Sequence, residues 1–167
     1  DLSVWDQVME RFPNTAVLAV AGILVALIIG IPTGIISAKK QYSAVDNVSM
    51  VLSLIGVSMP NFWFGLLVVI VFALNLGWLP SQGMGEGGVE LLKSLVLPAL
   101  TLGTGCAATI TRMTRSSMLE VIHQDYIDTA KAKGVSERTI TFRHMLKNAL
   151  IPIVTAVGLQ FGTLLGG

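Results

Sequence analysis

The side chains that could do chemistry are concentrated in one charged stretch of 28 residues, from Glu120 to Lys147. It contains both histidines of the chain, His123 and His144, which are 21 residues apart. With Asp125 they form the one conceivable set of metal ligands, but we favour solvated histidines at a membrane surface. A nucleophile beside a general base, which covalent catalysis requires, is not recognisable. We therefore predict no enzymatic activity, no catalytic residue and no metal ligand.

The same stretch contains an unusually complete set of helix signals. Asp125 can act as an N-cap, and Asp128, three residues later, imitates a capping box. Lys131 and Lys133 would lie in the last turn, where cations suit the helix dipole. Gly134 fits the left-handed residue that commonly follows a helix. These signals predict a short, sharply bounded helix of about two turns.

A helix this short is not stable alone in water and has to dock against another surface. Tyr126, Ile127 and Ala130 give it an apolar side. One interpretation is that this side rests on the chain's own helices at the lipid headgroups. The other is that the helix inserts into a groove of a cytoplasmic partner and transmits movement into the membrane helices. Ser136 is then expected to cap the next helix, which leads to Pro152.

The rest of the chain has the composition of a membrane protein. Charged residues make up 13% of it and hydrophobic residues 53%, whereas soluble domains contain roughly 25% charged residues. Four charge-free runs contain 27, 39, 18 and 20 residues, and a transmembrane helix needs roughly 20 apolar residues. They predict an all-α polytopic helical bundle, a single transmembrane domain over 1–167, with spans at about 15–38, 48–77, 94–118 and 148–167.

Local signals refine these spans. Asn14 or Thr15 could cap the first helix, after an irregular or amphipathic lead-in. The second run is longer than a straight span requires, so we expect a tilted helix with a kink at Pro60. The last run ends without a flanking charge, and we interpret the chain as an internal piece of a longer polypeptide. Cys106, the single cysteine, excludes a disulfide framework and indicates a packing residue.

Positive charges predict how the spans are oriented. If Lys39 and Lys40 are cytoplasmic, nine lysines and arginines fall on the inner side and two, Arg11 and Lys93, on the outer side. Cytoplasmic segments of membrane proteins carry such an excess. The start of the chain is therefore expected to be extracytoplasmic, and the loop at 119–147 is expected in the cytoplasm.

Small and mildly polar residues complete the signals within the spans. Small residues recur every four positions in the first helix, at Gly22, Ala26, Gly30, Gly34 and Ala38. Glycines recur in the same way in the last helix, at Gly158, Gly162 and Gly166. Such faces allow close packing, either within the chain or against a second transmembrane subunit.

The charge-free runs contain no acidic, basic or histidine side chain, which argues against proton coupling or voltage sensing. Their mild polar groups could line a neutral path for a substrate that is recognised elsewhere. We predict a set of pathway or gate residues that consists of Ser58, Pro60, Asn61, Thr101 and Thr104.

The motifs of the charged stretch resemble those of a known family. They are Arg112-x-x-Arg115-x-x-Met118, Asp125-Tyr126-Ile127-x-Thr129-Ala130-x-Ala132-Lys133-Gly134 and Arg143-His144-x-x-x-Asn148-Ala149-Leu150-Ile151-Pro152. With the Gly77-Trp78-Leu79-Pro80-x-x-Gly83 turn, they are similar to the permeases of bacterial ABC importers for dipeptides, oligopeptides and nickel, specifically the first of the two permease subunits. Many importer permeases have Glu-Ala-Ala-x-x-x-Gly where this chain has Asp128-Thr129-Ala130-x-x-x-Gly134, and Ile151-Pro152 also follows the glycine at a greater distance. Both departures favour the peptide and nickel branch.

This resemblance implies a permease of the bacterial inner membrane with the type I importer fold. The short cytoplasmic helix would be the coupling helix, which sits in a cleft of an ABC ATPase. The coupling residues implied are Asp125, Tyr126, Asp128, Thr129, Ala130, Ala132, Lys133 and Gly134. ATP and Mg²⁺ would bind to cytoplasmic ATPase subunits, because this chain has no Gly-x-x-x-x-Gly-Lys-Ser/Thr phosphate loop and is expected to bind no cofactor itself.

The other partners implied are a second permease subunit, an extracytoplasmic substrate-binding protein and membrane lipid, but not nucleic acid. An alternative from a different class is a pore-forming channel subunit, which would conduct as its own oligomer without an ATPase. A membrane enzyme or assembly factor would need a catalytic constellation that the sequence does not contain. The substrate itself, whether a dipeptide, a longer peptide, a nickel chelate or another small solute, is not specified by these residues.

Overall fold

The structure is a computed structural model that describes residues 3–85 and 87–166, and every regular element within those ranges is helical. The elements are α1 (Val4–Lys39), α2 (Ala44–Ser58), α3 (Asn61–Val69) with a π-helical turn at Ile70–Asn75, α4 (Gly88–Ile122), α5 (Asp125–Ala132), α6 (Glu137–Thr139) with a π-helical segment at Ile140–Leu146, and α7 (Lys147–Gly166). Three helical runs are long and apolar enough to cross a membrane, or four if the bent pair α2–α3 counts as one span. The prediction of an all-α polytopic bundle is confirmed.

The first helix begins well before the predicted span. The Oγ of Ser3 accepts a hydrogen bond from the backbone N–H of Asp6 at 3.2 Å, which makes Ser3 the N-cap of α1. The predicted cap at Asn14 or Thr15 is therefore wrong, because an earlier cap extends the helix over the lead-in. Thr15 instead donates to the carbonyl of Arg11 within α1. Of the predicted lead-in, residues 1 and 2 lie outside the described residues.

The kink predicted at Pro60 is a complete break. α2 and α3 meet at an angle of 100°, and the backbone of Met59 is extended, with φ −77° and ψ 127°. Proline lacks the N–H that would continue the helix and disfavours helical geometry in the residue before it. The interruption therefore lies where the sequence predicts it, but it separates two helices, whereas the sequence predicts one kinked helix over 48–77.

Glycines bring the backbones of α1 and α4 into close contact. A Cβ atom added at Gly34 would lie 2.5 Å from the Cβ of Thr114, and one at Gly30 would lie 2.9 Å from the Cβ of Ile110. The small-residue face predicted on the first helix is thus used within the chain. On α7, by contrast, a Cβ at Gly158, Gly162 or Gly166 would meet no atom within 4 Å.

Gly34→Ala is expected to destabilise the bundle, because the added methyl group collides with Thr114 and with the carbonyl of Thr111, 2.8 Å away. Overpacking of this kind typically costs about 1–3 kcal/mol. Gly158→Ala is the matched control, since the same methyl group enters open space there and alanine favours helix. Thermal unfolding of the purified variants in detergent measures the difference; an equal loss in both would contradict the packing described.

A hydrophobic core joins five segments at the end of the bundle where α5 lies. Its buried members are Ile35, Ala38, Met118, Ile127, Ala130, Ile140, Met145, Ala149 and Ile153. They come from α1, α4, α5, the π-helical segment and α7. A second cluster contains Ala26, Cys106, Ala107 and Ile110, and Cys106 is 7% exposed. The prediction that Cys106 is a packing residue is confirmed.

Candidate functional site

The short helix α5 ends as the sequence predicts. Gly134 has φ +74°, a backbone conformation that glycine adopts without a steric penalty. Its N–H donates to the carbonyl of Lys131 at 2.9 Å, and the N–H of Val135 donates to the carbonyl of Ala130 at 3.1 Å. These two bonds form a Schellman motif. The predicted role of Gly134 as the residue that ends the helix is confirmed.

The other boundaries of the loop agree only in part with the sequence prediction. Gln124 is the N-cap of α5 and makes no capping bond with its side chain, while Asp125 and Asp128 lie in the first turn. The predicted capping box is therefore wrong, although both carboxylates still face the positive end of the helix dipole. Ser136 caps the next helix by accepting from the N–H of Thr139 at 3.4 Å, as predicted.

The apolar side of α5 rests on the chain's own bundle. Ile127 is fully buried and Ala130 is 9% exposed, and both belong to the core that contains Met118 and Ile153. Of the two interpretations of this side, the contact with the chain's own helices is the one observed. Ala130, one of the predicted coupling residues, accordingly faces the bundle. Tyr126 differs from the other two, since it is 43% exposed.

The opposite side of α5 is polar and open. The predicted coupling residues that are exposed are Asp125, Tyr126, Asp128, Thr129, Ala132, Lys133 and Gly134. An ion pair joins Lys131 to Asp128 at 3.4 Å, and the hydroxyl of Thr129 donates to the carbonyl of Asp125 at 2.9 Å. We call this side the polar face of α5. Its side chains are bonded to other groups of α5, and the buried side of the helix packs against the bundle.

The histidines show no sign of a metal site. Within residues 3–85 and 87–166, no three His, Cys, Asp or Glu side chains come close enough together to hold a metal ion. The Nδ1 atom of His123 instead lies 2.8 Å from the carbonyl oxygen of Leu119, at the end of α4.

A buried ion pair near the same end of the bundle was missed by the sequence analysis. The Nε and Nη2 atoms of Arg115 donate to the two carboxylate oxygens of Asp46 at 2.6 and 2.7 Å. Asp46 is 1% exposed, and it also accepts hydrogen bonds from the hydroxyl of Ser37 and the N–H of Tyr42. The carboxylate thus links α1, the turn after it, α2 and α4.

The turn itself depends on this carboxylate. Tyr42 has φ +63°, which is uncommon for a bulky side chain, and its N–H donates to Asp46 at 2.9 Å. The sequence contained one local signal, because Ser43 caps α2 by accepting from the N–H of Asp46 at 3.3 Å. The partner of the carboxylate lies 69 residues further along the chain, and no local pattern points to it.

A cavity of about 420 Å³ lies between α3, α4 and the loop at 80–83. Two of the predicted pathway residues, Asn61 and Thr101, line it, together with Gly65 and Ser94. The other three predicted residues are outside its lining: Pro60 forms the break before α3, Ser58 is exposed, and the hydroxyl of Thr104 donates to the carbonyl of Leu100 within α4. The structure therefore brings together two of the five.

A smaller cavity of about 180 Å³ is lined by residues of α2, α3, α4 and α7. Asn61 lines it as well, with Thr109 from α4 and Gln160 from α7. The thiol of Cys106 lies 3.7 Å from Oε1 of Gln160. The break at Pro60 thus places the amide side chain of Asn61 at both cavities. Neutral polar groups from α3, α4 and α7 line the smaller cavity.

The similarity to known proteins assigns this arrangement to a family. A family model described as "Binding-protein-dependent transport system inner membrane component" matches residues 30–167. This chain belongs to that family. The matched range contains the α5 helix, the Asp46–Arg115 pair and the residues that line both cavities.

Relatives of this chain have names that agree with the peptide branch. The chain is 44% identical to the oligopeptide transport system permease protein AppB of Bacillus subtilis, with 98% of this chain and 54% of the relative aligned. It is 42% identical to the di/tripeptide transport system permease protein DppB of Pseudomonas aeruginosa (98% and 56% aligned). It is 43% identical to the glutathione transport system permease protein GsiC of Escherichia coli K12 (98% and 52% aligned).

These matches confirm the resemblance to ABC importer permeases. The family is described as an inner membrane component of transport systems, and the relatives are named as transport permease proteins, which are not enzymes. None of the three relatives is named for nickel. The chain spans about half the length of the curated relatives that it matches.

Proposed function

We propose that this permease is a subunit of a bacterial ATP-driven importer for di- or oligopeptides. It forms half of the translocation pathway, and a second permease forms the other half. An extracytoplasmic binding protein delivers the peptide, and ATP with Mg²⁺ binds to cytoplasmic ABC ATPase subunits. The names of the three relatives support peptides, including the tripeptide glutathione, as the substrate class.

The observation that carries this proposal is the way α5 is built into the bundle. Its polar face is open, whereas Ile127 on the buried side shares one core with Met118 of α4 and Ile153 of α7. A force on the polar face is therefore transmitted directly into two long helices. α4 also lines the larger cavity through Thr101, so a displacement of α5 changes the wall of the cavity. This is the coupling that an ATP-driven importer requires.

We also propose that α5 and the loop around it are cytoplasmic and that the start of the chain is extracytoplasmic. Nine of the eleven lysines and arginines lie on the side assigned to the cytoplasm. An ion pair of 3.5 Å between Lys39, at the end of α1, and Glu137, after α5, supports this assignment, since it requires both groups to lie at the same end of the bundle.

Purification of the full-length protein in mild detergent, followed by reconstitution in proteoliposomes, tests the proposal. We expect a phosphate-loop ATPase and a second permease to copurify, and uptake of a radiolabelled dipeptide to require both ATP and the binding protein. A protein that purifies alone as a homo-oligomer and conducts ions without ATP would overturn the proposal in favour of a channel subunit. ATP-dependent uptake of a nickel chelate but not of peptides would keep the importer mechanism and reject the substrate class.

A further inference from the structure

A cleft of about 410 Å³ lies on the segment between α5 and α7, where it is lined by Arg138, Thr139, Phe142 and Arg143. Both arginines are exposed, and Phe142 is 55% exposed. These residues belong neither to the polar face of α5 nor to the two cavities described above. An exposed aromatic ring between two exposed cations is a separate feature that the coupling role does not explain.

The π-helical geometry explains why the two arginines share this cleft. On an α-helix, residues three or four positions apart lie on one face, whereas residues five apart diverge. A π-helix closes its hydrogen bonds over five residues, so side chains five positions apart come to the same side. The π-helical segment begins at Ile140, between Arg138 and Arg143. The wider turn of this segment brings Arg143 nearer to the side of Arg138 than a regular helix would, and both arginines line the cleft.

No carboxylate neutralises this pair within the part of the chain that the structure describes. The ion pairs found there join Lys39 to Glu137, Arg115 to Asp46, and Lys131 to Asp128. Glu137 is the immediate neighbour of Arg138, but it is directed to Lys39. Two guanidinium groups in one cleft without a counter-ion attract an anion, and their planar donor geometry suits the oxygens of a phosphate group.

Exposed apolar surface continues from the cleft along α7. Lys147 begins α7 directly after the π-helical segment that contains Arg143. Ile151 lies four residues after Lys147, a spacing that puts these two side chains on one face of α7. Ile151 is 80% exposed and Val154 is 61% exposed. This surface presents cations at one end, an aromatic ring beside them and aliphatic side chains beyond. It is complementary to a phospholipid, in which an anionic headgroup is followed by the glycerol backbone and the acyl chains.

We propose that Arg138 and Arg143 bind the phosphate group of an anionic glycerophospholipid. The ring of Phe142 lies at the level of the glycerol backbone, and the acyl chains lie along Ile151 and Val154. The occupant is a lipid and not an acidic protein surface, because the cleft residues belong to the same helical run as the exposed Ile151 and Val154, and that run is long and apolar enough to cross a membrane. Basic residues beside a membrane attract anionic lipid additively, so the two arginines together strengthen its binding by roughly tenfold or more.

Native mass spectrometry of the full-length permease, titrated in detergent with phosphatidylglycerol or phosphatidylcholine, tests the site. Arg138→Gln/Arg143→Gln is expected to weaken the binding of phosphatidylglycerol roughly tenfold and to leave that of phosphatidylcholine unchanged. Arg11→Gln/Lys93→Gln is the matched control, because it removes the same net charge at the other end of the bundle. We expect this control to change neither lipid's binding.

The proposal would be overturned by unchanged phosphatidylglycerol binding in the Arg138/Arg143 variant, by an equal loss in the control variant, or by displacement of the lipid by an equal concentration of inorganic phosphate. Loss of a copurified ATPase with lipid binding intact would also overturn it, because the cleft would then belong to a protein interface. Arg138→Lys/Arg143→Lys keeps both charges and is expected to retain part of the binding, which separates loss of the site from loss of the fold.

Discussion

Gly134→Pro is expected to abolish ATP-driven peptide uptake while the protein is still inserted into the membrane. Proline fixes φ near −65° and has no N–H, whereas Gly134 has φ +74° and donates a hydrogen bond to Lys131 at 2.9 Å. Both bonds of the Schellman motif are then lost, and the last turn of α5 no longer has a defined end. Under the proposed function, the polar face would lose the orientation in which it meets the ATPase.

The measurement is uptake of a radiolabelled dipeptide into proteoliposomes that contain the complete importer, alongside ATP hydrolysis in the same preparation. We expect uptake to fall to background while the ATPase still hydrolyses ATP. Gly134→Asn is the matched control, since asparagine tolerates the left-handed conformation and keeps its N–H. It is expected to retain most of the uptake. Normal transport by the proline variant would show that the end of α5 has no part in coupling.

Asp46→Asn is expected to cause the largest loss of stability among single substitutions outside the apolar core. The change leaves the guanidinium of Arg115 in its partly buried position without the carboxylate that neutralises it. Breaking a buried ion pair in this way typically costs about 3–5 kcal/mol. Tyr42 also loses part of the contact that holds its backbone at φ +63°. Thermal unfolding in detergent, monitored by circular dichroism, measures the effect.

A second substitution distinguishes loss of the ion pair from loss of packing. Asp46→Leu combined with Arg115→Met removes both charges, and replacing a whole buried pair by apolar residues is often close to neutral. We therefore expect the double variant to recover much of the stability that Asp46→Asn loses. Lys39→Gln is the control for an exposed pair, because its partner Glu137 is 75% exposed and such pairs contribute about 0–1 kcal/mol. A loss of similar size in Lys39→Gln would argue against a special role for Asp46.

The features that sequence alone predicts are those whose causes are local. The composition predicts the membrane bundle. The caps at Gly134 and Ser136 are formed by hydrogen bonds between residues no more than five positions apart. The resemblance to importer permeases rests on motifs of the same local kind, and the family match confirms it.

The features that sequence alone does not predict depend on contacts between distant segments. Nothing in the sequence around Asp46 distinguishes it from an exposed carboxylate. Its ion-pair partner, Arg115, lies 69 residues later in the sequence. The side of α5 that faces the bundle depends in the same way on Met118 and Ile153 of other helices. The size of the bend at Pro60 follows from how α2 and α3 both pack on α4, where Ala108 lies beside Gly56 and Thr101 beside Gly65, and a proline by itself does not specify an angle.

The glycine contacts between α1 and α4 have a consequence for how the chain is made. Gly34 and its contact Thr114 are 80 residues apart in the sequence, and chains are synthesised from the N-terminus onward. When α1 leaves the translocon, the helix that fills its glycine face has not yet been translated. α2 and α3 also find their packing surfaces on α4. The first three helices therefore enter the membrane before α4, the helix against which each of them packs, and the bundle can be completed only after α4 is inserted.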